Sequence, residues 1–275
     1  MKSTKKILFI VTIVLLVAAF AVSAFLVGRY VINGKKAQNR YDDLSAQASA
    51  ATTAATTPTT TAPTETTQGA TEETTQATEP KPIAEYVALH EQNTDMVGWI
   101  KIDKTKLDYP VMQTPNEKDY YIKRDFDKNH SEWGSIYAWE EADLNEPSDN
   151  ITLFGHRMKD GSMFAPILVY ENKSAWEENP LIFFNTLTEY HTYKIFAVFK
   201  CSTIIGDTTY FPYHRFVNAQ SEQEFNDFVK TCKDMAFYDT GITPQYGDKL
   251  ICLSTCEYTM GGGNGRFVVC AYRID

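Results

Sequence analysis

No two cysteines in this chain stand at C-x-x-C spacing. The five, at positions 201, 232, 252, 256 and 270, are spread over the last third of 275 residues. That spacing argues against a structural zinc site. Their odd number leaves at least one thiol unpaired, or paired with another molecule, if the chain is exported. A basic surplus is missing too. From residue 83 to the end, 29 Asp and Glu stand against 18 Lys and Arg, a net charge of about −11. A nucleic-acid partner is therefore not expected, because it requires a basic footprint.

Two further absences divide the chain. Residues 7–28, ILFIVTIVLLVAAFAVSAFLVG, carry no charge, and a helix of that length crosses a hydrocarbon core of ~30 Å. Lys2, Lys5 and Lys6 precede the run, and Arg29, Lys35, Lys36 and Arg40 follow it. The flanking charges thus do not decide orientation by the positive-inside rule. Val22–Ala24 offers a signal-peptidase site, but the run is longer than a usual signal-peptide core of ~7–15 residues, so a retained anchor within residues 1–41 is favoured. Residues 51–80 lack large apolar side chains and hold 14 Thr, three Pro and four Glu. Such a stretch cannot bury enough surface to offset the entropy of ordering. Residues 42–82 read as a disordered, Thr-rich stalk, and residues 83–275 as one globular domain large enough for a core of its own.

What the domain does contain is mostly strand signal. Apolar residues at Ile83, Tyr86, Val87, Leu89, Met96 and Val97 predict one or two short helices at its start. Strands follow at 98–102, at LDYPVMQ with Pro110 marking an edge or a bulge, at GSIYAWE, at NITLFGH, at LIFFNT, and in the β-branched and aromatic run 189–205. Residues 221–238 carry Phe225, Phe228, Val229 and Cys232 at helical spacing, with Ser221 and Glu224 as a capping box. Two strands, 248–256 and 266–273, close the chain. About eight strands without βαβ alternation predict a mostly antiparallel barrel or sandwich.

The terminal hairpin suggests chemistry. If Cys256 ends one strand and Arg266 opens the next, an antiparallel register pairs 256 with 266, 254 with 268 and 252 with 270. A thiol beside a fixed positive charge favours the nucleophilic thiolate. Cys201, Cys232, Cys252 and Cys270 sit inside apolar patterns and read as buried small hydrophobes; whether Cys252 and Cys270 are disulfide-bonded stays open. A cysteine nucleophile needs a proton partner, most often His. His156 ends a strand at a glycine, as Cys256 ends another. His90 falls in a surface helix, and His130, His191 and His214 read as solvated surface residues.

TLFGHRMKDGSMF around His156, LSTCEY around Cys256 and an arginine ten residues later, in that order, resemble the sortases, and within them class B. DYPVMQ, DYYIKRDF and GSIYAW upstream fit the same pattern. The resemblance covers nearly all of residues 83–275 and implies a closed eight-stranded β-barrel with N-terminal helices and one long helix before the cysteine strand. It implies a membrane-anchored, extracytoplasmic cysteine transpeptidase facing a Gram-positive cell wall. Cys256 would attack the Thr carbonyl of a C-terminal sorting signal on a surface protein, and a cell-wall peptide amine would resolve the thioester. His156 would serve as acid and base, and Arg266 would stabilise the oxyanion. Ser254 and Glu257 would contact substrate, and Tyr121, Ile122, Tyr210 and Phe211 would wall the groove. The loop 257–265 is expected to order on substrate. No metal or other cofactor is implied. A pilin polymerase using a Lys amine, and a catalytically silent binding module, remain the alternatives.

Overall fold

The computed structural model describes residues 2–55, 81–260 and 263–275. The chain divides into two units, Met1–Asp42 and Asp43–Asp275. Helix α1, Lys2–Ala55, supplies the first unit and extends beyond residue 42. Its side chains from residue 7 to residue 27 are all exposed. The 22 uncharged residues span about 33 Å at the helical rise. Among the described residues this is the one helix long and apolar enough to cross a membrane. The same helix continues through residues 42–55, where part of the 42–82 stalk was expected; residues 56–80 of that expectation lie outside the described residues.

The second unit is built on a barrel of eight strands: β1 Met96–Lys101, β2 Asp108–Met112, β3 Ile136–Ala138, β4 Asn150–Phe154, β5 Leu181–Thr186, β6 Thr192–Ser202, β7 Leu250–Glu257 and β8 Gly265–Arg273. They close in the order β1-β2-β3-β4-β7-β8-β6-β5, so each strand has a neighbour on both sides. Six pairings are antiparallel; β2–β3 and β4–β7 are parallel. Pro110 pairs opposite Trp99 on β1, while β3 meets β2 only at Val111 and Met112. The missing N–H of Pro110 thus falls where one flank of β2 is unpaired. The helix expected up to residue 97 is shorter: α2, Ala84–Gln92, buries Tyr86 and Leu89, and Met96 already belongs to β1.

Helix α4, Glu222–Asp234, shows why its sequence was readable. The Ser221 hydroxyl accepts from Glu224 N at 3.2 Å, and Gln220 N donates to the Glu224 carboxylate at 2.7 Å. Its stripe of Phe225, Phe228, Val229 and Cys232 is buried against Phe199, Cys201, Leu250, Cys252, Val268 and Cys270 of β6, β7 and β8. Phe216 stacks on Phe228 at 4.0 Å. Each fully buried aromatic contributes roughly 1.5–3 kcal/mol, which pins the helix to one face of the three longest strands. That face also presents Cys256. A short helix α3, Lys173–Glu178, and three-residue-turn segments at Tyr120–Lys123, Ala165–Glu171 and Tyr213–Arg215 fill the connections.

Candidate active site

The register β4–β7 decides the geometry. It runs from Asn150↔Leu250 to Phe154↔Ser254, so each β4 residue lies beside the residue one hundred positions later. Past the last pair, Gly155 N donates to Ser254 O at 3.2 Å and the Thr255 hydroxyl donates to Gly155 O at 2.7 Å. His156 and Cys256 come next on the two chains. A Cβ at position 155 would sit 2.5 Å from Ile136 Cδ1 and 2.7 Å from Phe164 Cγ, so only glycine fits this close approach.

On the other flank β7 pairs with β8 in the predicted register, Cys256↔Arg266, Ser254↔Val268 and Cys252↔Cys270. Cys256, His156 and Arg266 line one cleft of about 230 Å³, together with Ile122 and Ser254. His156 Nε2 donates to the Ile122 carbonyl at 2.6 Å; a carbonyl only accepts, so Nε2 holds a proton and Nδ1 is the atom left for exchange. Arg266 Nη1 donates to Gly263 O at 3.3 Å and Gly265 O at 2.9 Å, which fixes the guanidinium at the strand mouth. Ser254 is buried and its hydroxyl lies 2.5 Å from the Tyr213 hydroxyl.

Of the five cysteines, Cys256 alone is half-exposed; the other four are buried free thiols. Burial pushes the Cys201 thiol up to about 12, against the pull of Arg266. It raises Cys232, Cys252 and Cys270 as well, so these thiols stay un-ionised. Cys252 and Cys270 are unbonded, with their sulfurs 3.0 Å apart.

The remaining groove residues fall elsewhere. Tyr121 is fully buried; its hydroxyl donates to Asp95 at 2.7 Å and accepts from Asn93 at 2.8 Å, so it braces the core rather than walling the cleft. Phe211 packs on Phe199 and Phe228 in the cluster under α4. Tyr210 bridges to Ser202 and does not line the cleft. Glu257 is buried and absent from the cleft lining, because strand alternation turns it to the face opposite Cys256. The loop 257–265 holds two glycines, at 261 and 262, outside the described residues, so its ordering goes undescribed. His191, expected on the surface, is buried between Glu189 and Asp275 at 3.1 and 3.5 Å.

The sequence reading missed several walls of the cleft: Lys118, Tyr137, Trp139 and His214. His214, expected to be solvated, packs edge-on to Trp139 at 4.8 Å. Burial lowers its pKa, with Arg215 and Lys118 adding to the effect, which favours the neutral ring. The period-two alternation of GSIYAWE, which puts 137 and 139 on one face, was the available signal. A larger cavity of about 670 Å³ beside α2 contains none of the three chemical residues. Among the described residues no group of three or more His, Cys, Asp or Glu side chains stands where a metal ion would bind.

A sequence model of the sortase domain matches residues 100–274. The chain belongs to the sortase family. Within it the chain is of class B: it is 32% identical over 183 residues to sortase B of Listeria monocytogenes, covering 66% of this chain and 70% of that one. It is 29% identical over 187 residues to sortase B of Staphylococcus aureus, covering 68% and 73%. The solved structure of an S. aureus sortase B–substrate complex superposes with a TM-score of 0.72 at 23% identity, covering 89% of this chain and 99% of that one. This sortase is thus a transpeptidase, of a family whose members act on sorting signals and amine nucleophiles. The closed barrel predicted from the resemblance is the fold observed.

Proposed function

We propose that this sortase cleaves a C-terminal sorting signal after Thr and joins the released protein to a cell-wall peptide amine. The observation that carries this reading is the sharing of one cleft by Cys256, His156 and Arg266. The Cys256 thiolate attacks the Thr carbonyl and a C–S bond forms. The C–N bond then breaks, with the leaving amine taking a proton from the His156 imidazolium through Nδ1. The incoming amine gives its proton to the same ring as it attacks the thioester, and the sulfur leaves as thiolate. Arg266 holds the oxyanion in both steps, with a charge that does not vary over the working pH range. Ile122 and Ser254 flank the acyl group. The uncharged stretch of α1 anchors the chain in the membrane, with the barrel outside, facing the wall.

The test is cleavage of a library of Thr-containing sorting-signal peptides by the full chain, with Cys256→Ala as control. The expected result is cleavage by the wild type, none by the variant, and loss of labelling by a thiol-reactive inhibitor. Cleavage by the alanine variant would overturn the assignment. Supplying wall-peptide amines and a Lys-bearing protein in turn then separates wall anchoring from pilus assembly.

A further inference from the structure

Glu257 was expected to touch substrate, yet it points away from the cleft into a set of charged contacts. Its side chain is 3% exposed. One carboxylate oxygen lies 3.4 Å from Arg157 Nη1 and 3.7 Å from Lys200 Nζ. The other accepts from Thr259 N at 2.6 Å. Lys200 is shared with Glu171 at 2.7 Å, and the Arg157 guanidinium lies 5.4 Å from the Tyr258 ring centroid. Burial alone pushes the Glu257 carboxyl upward, but the Thr259 N–H, Lys200 and Arg157 together outweigh it and hold it ionised.

The position of this pair in the chain gives it meaning. Arg157 directly follows His156, and Glu257 directly follows Cys256. On one side of the imidazole and the sulfur, the backbones at 154–155 and 254–255 are joined by the two hydrogen bonds already described. On the other side these two chain segments are joined by the Arg157–Glu257 ion pair, with the Arg157 guanidinium also lying over the Tyr258 ring. The two reacting side chains are therefore bracketed fore and aft. Through Thr259 N the same carboxylate also sets the start of the loop that returns the chain to Arg266.

We infer that Arg157 and Glu257 are positioning residues, whose ion pair holds the imidazole and the sulfur of the proposed Cys256–His156 chemistry in register. The inference rests on the function proposed above. Neither residue touches the reacting atoms. Their effect is on the alignment of His156 with Cys256, so it falls on turnover and not on capture of the peptide.

The experiment uses the full chain and the peptide that the wild type cleaves fastest from the library. Arg157→Met, Arg157→Lys, Glu257→Gln and the Met/Gln double variant are compared with Cys256→Ala. Arg157 is about one-third exposed, 32% by side chain, so its variants are expected to fold, and a thermal midpoint checks each. For Arg157→Met the expected result is a kcat at least ~10-fold lower with KM within ~2-fold, because misalignment of about 1 Å at a reacting centre costs up to ~100-fold. Arg157→Lys recovers most of that rate. The double variant is no slower than the slower single variant, as for two residues acting through one another. A wild-type kcat in Arg157→Met, losses that multiply in the double variant, or a change confined to KM would overturn the inference. An inactive Cys256→Ala beside a fully active Arg157→Met sinks the clamp alone. An active Cys256→Ala sinks the underlying mechanism instead.

Discussion

Replacing Gly155 by Ala adds one methyl group where the strand carrying His156 passes the barrel interior. The new Cβ would lie 2.5 Å from Ile136 Cδ1 and 2.7 and 2.8 Å from two ring atoms of Phe164. Carbon atoms settle at about 3.5–4.0 Å, so roughly 1 Å of retreat is needed. Phe164 and Ile136 are fully buried and have nowhere to go. If they are forced back, the cost is that of an overpacked core, about 1–3 kcal/mol. For a domain of this size that lowers the thermal midpoint by about 2–12 °C. If instead the backbone retreats, it strains the bonds from Gly155 to Ser254 and Thr255 and carries His156 with it. A displacement of that order costs up to ~100-fold in turnover. Calorimetry on Gly155→Ala, beside cleavage of a sorting-signal peptide, reads both quantities. Wild-type midpoint and wild-type kcat together would refute the reasoning. A lowered midpoint with intact kcat would show that this strand end does not set the imidazole.

Tyr213→Phe leaves the Ser254 hydroxyl, 1% exposed, without its partner; a loss of about 1–3 kcal/mol in urea unfolding is expected, and an unchanged midpoint would contradict it. The Glu257 carboxyl ionises below its ordinary 4.5 in the folded chain. Its ionisation therefore stabilises the fold above that pH, and the benefit is lost as pH falls through the depressed folded value. Glu257→Gln removes that contribution, so its unfolding midpoint should drop less than the wild type's between pH 7 and acid, and an identical drop in both proteins would be evidence against the ion-pair account.

Much of the barrel was readable because its strands repeat a simple signal. The run from Thr192 to Ser202 is long, β-branched and aromatic, and it folds as one strand. Ser221 and Glu224 announced α4 through a local hydrogen bond that needs no tertiary partner. The pairing of Cys256 with Arg266 followed from a single hairpin and period-two alternation. What stayed hidden depends on contacts between distant segments. Nothing local says that β4 lies parallel to β7, since a parallel pair leaves no turn between its members. The same alternation that placed Cys256 in the cleft also turns Glu257 away from it, a consequence that resemblance to the family overrode. Tyr121 looked like a groove aromatic, but Asn93 and Asp95 claim its hydroxyl from a segment nearly thirty residues earlier. His214 looked polar by its neighbours in sequence and is half-buried by Trp139, which only the closed barrel brings near.

The side-by-side strands β4 and β7 also have a temporal implication. Synthesis delivers the imidazole a hundred residues before the sulfur, and the guanidinium ten residues later still. On the roles proposed above, a chain halted anywhere short of residue 256 owns an acid–base group with nothing to activate. On that reading competence arrives only once residues 256 to 266 have been made, and a copy halted before them stays inert toward the proteins it passes.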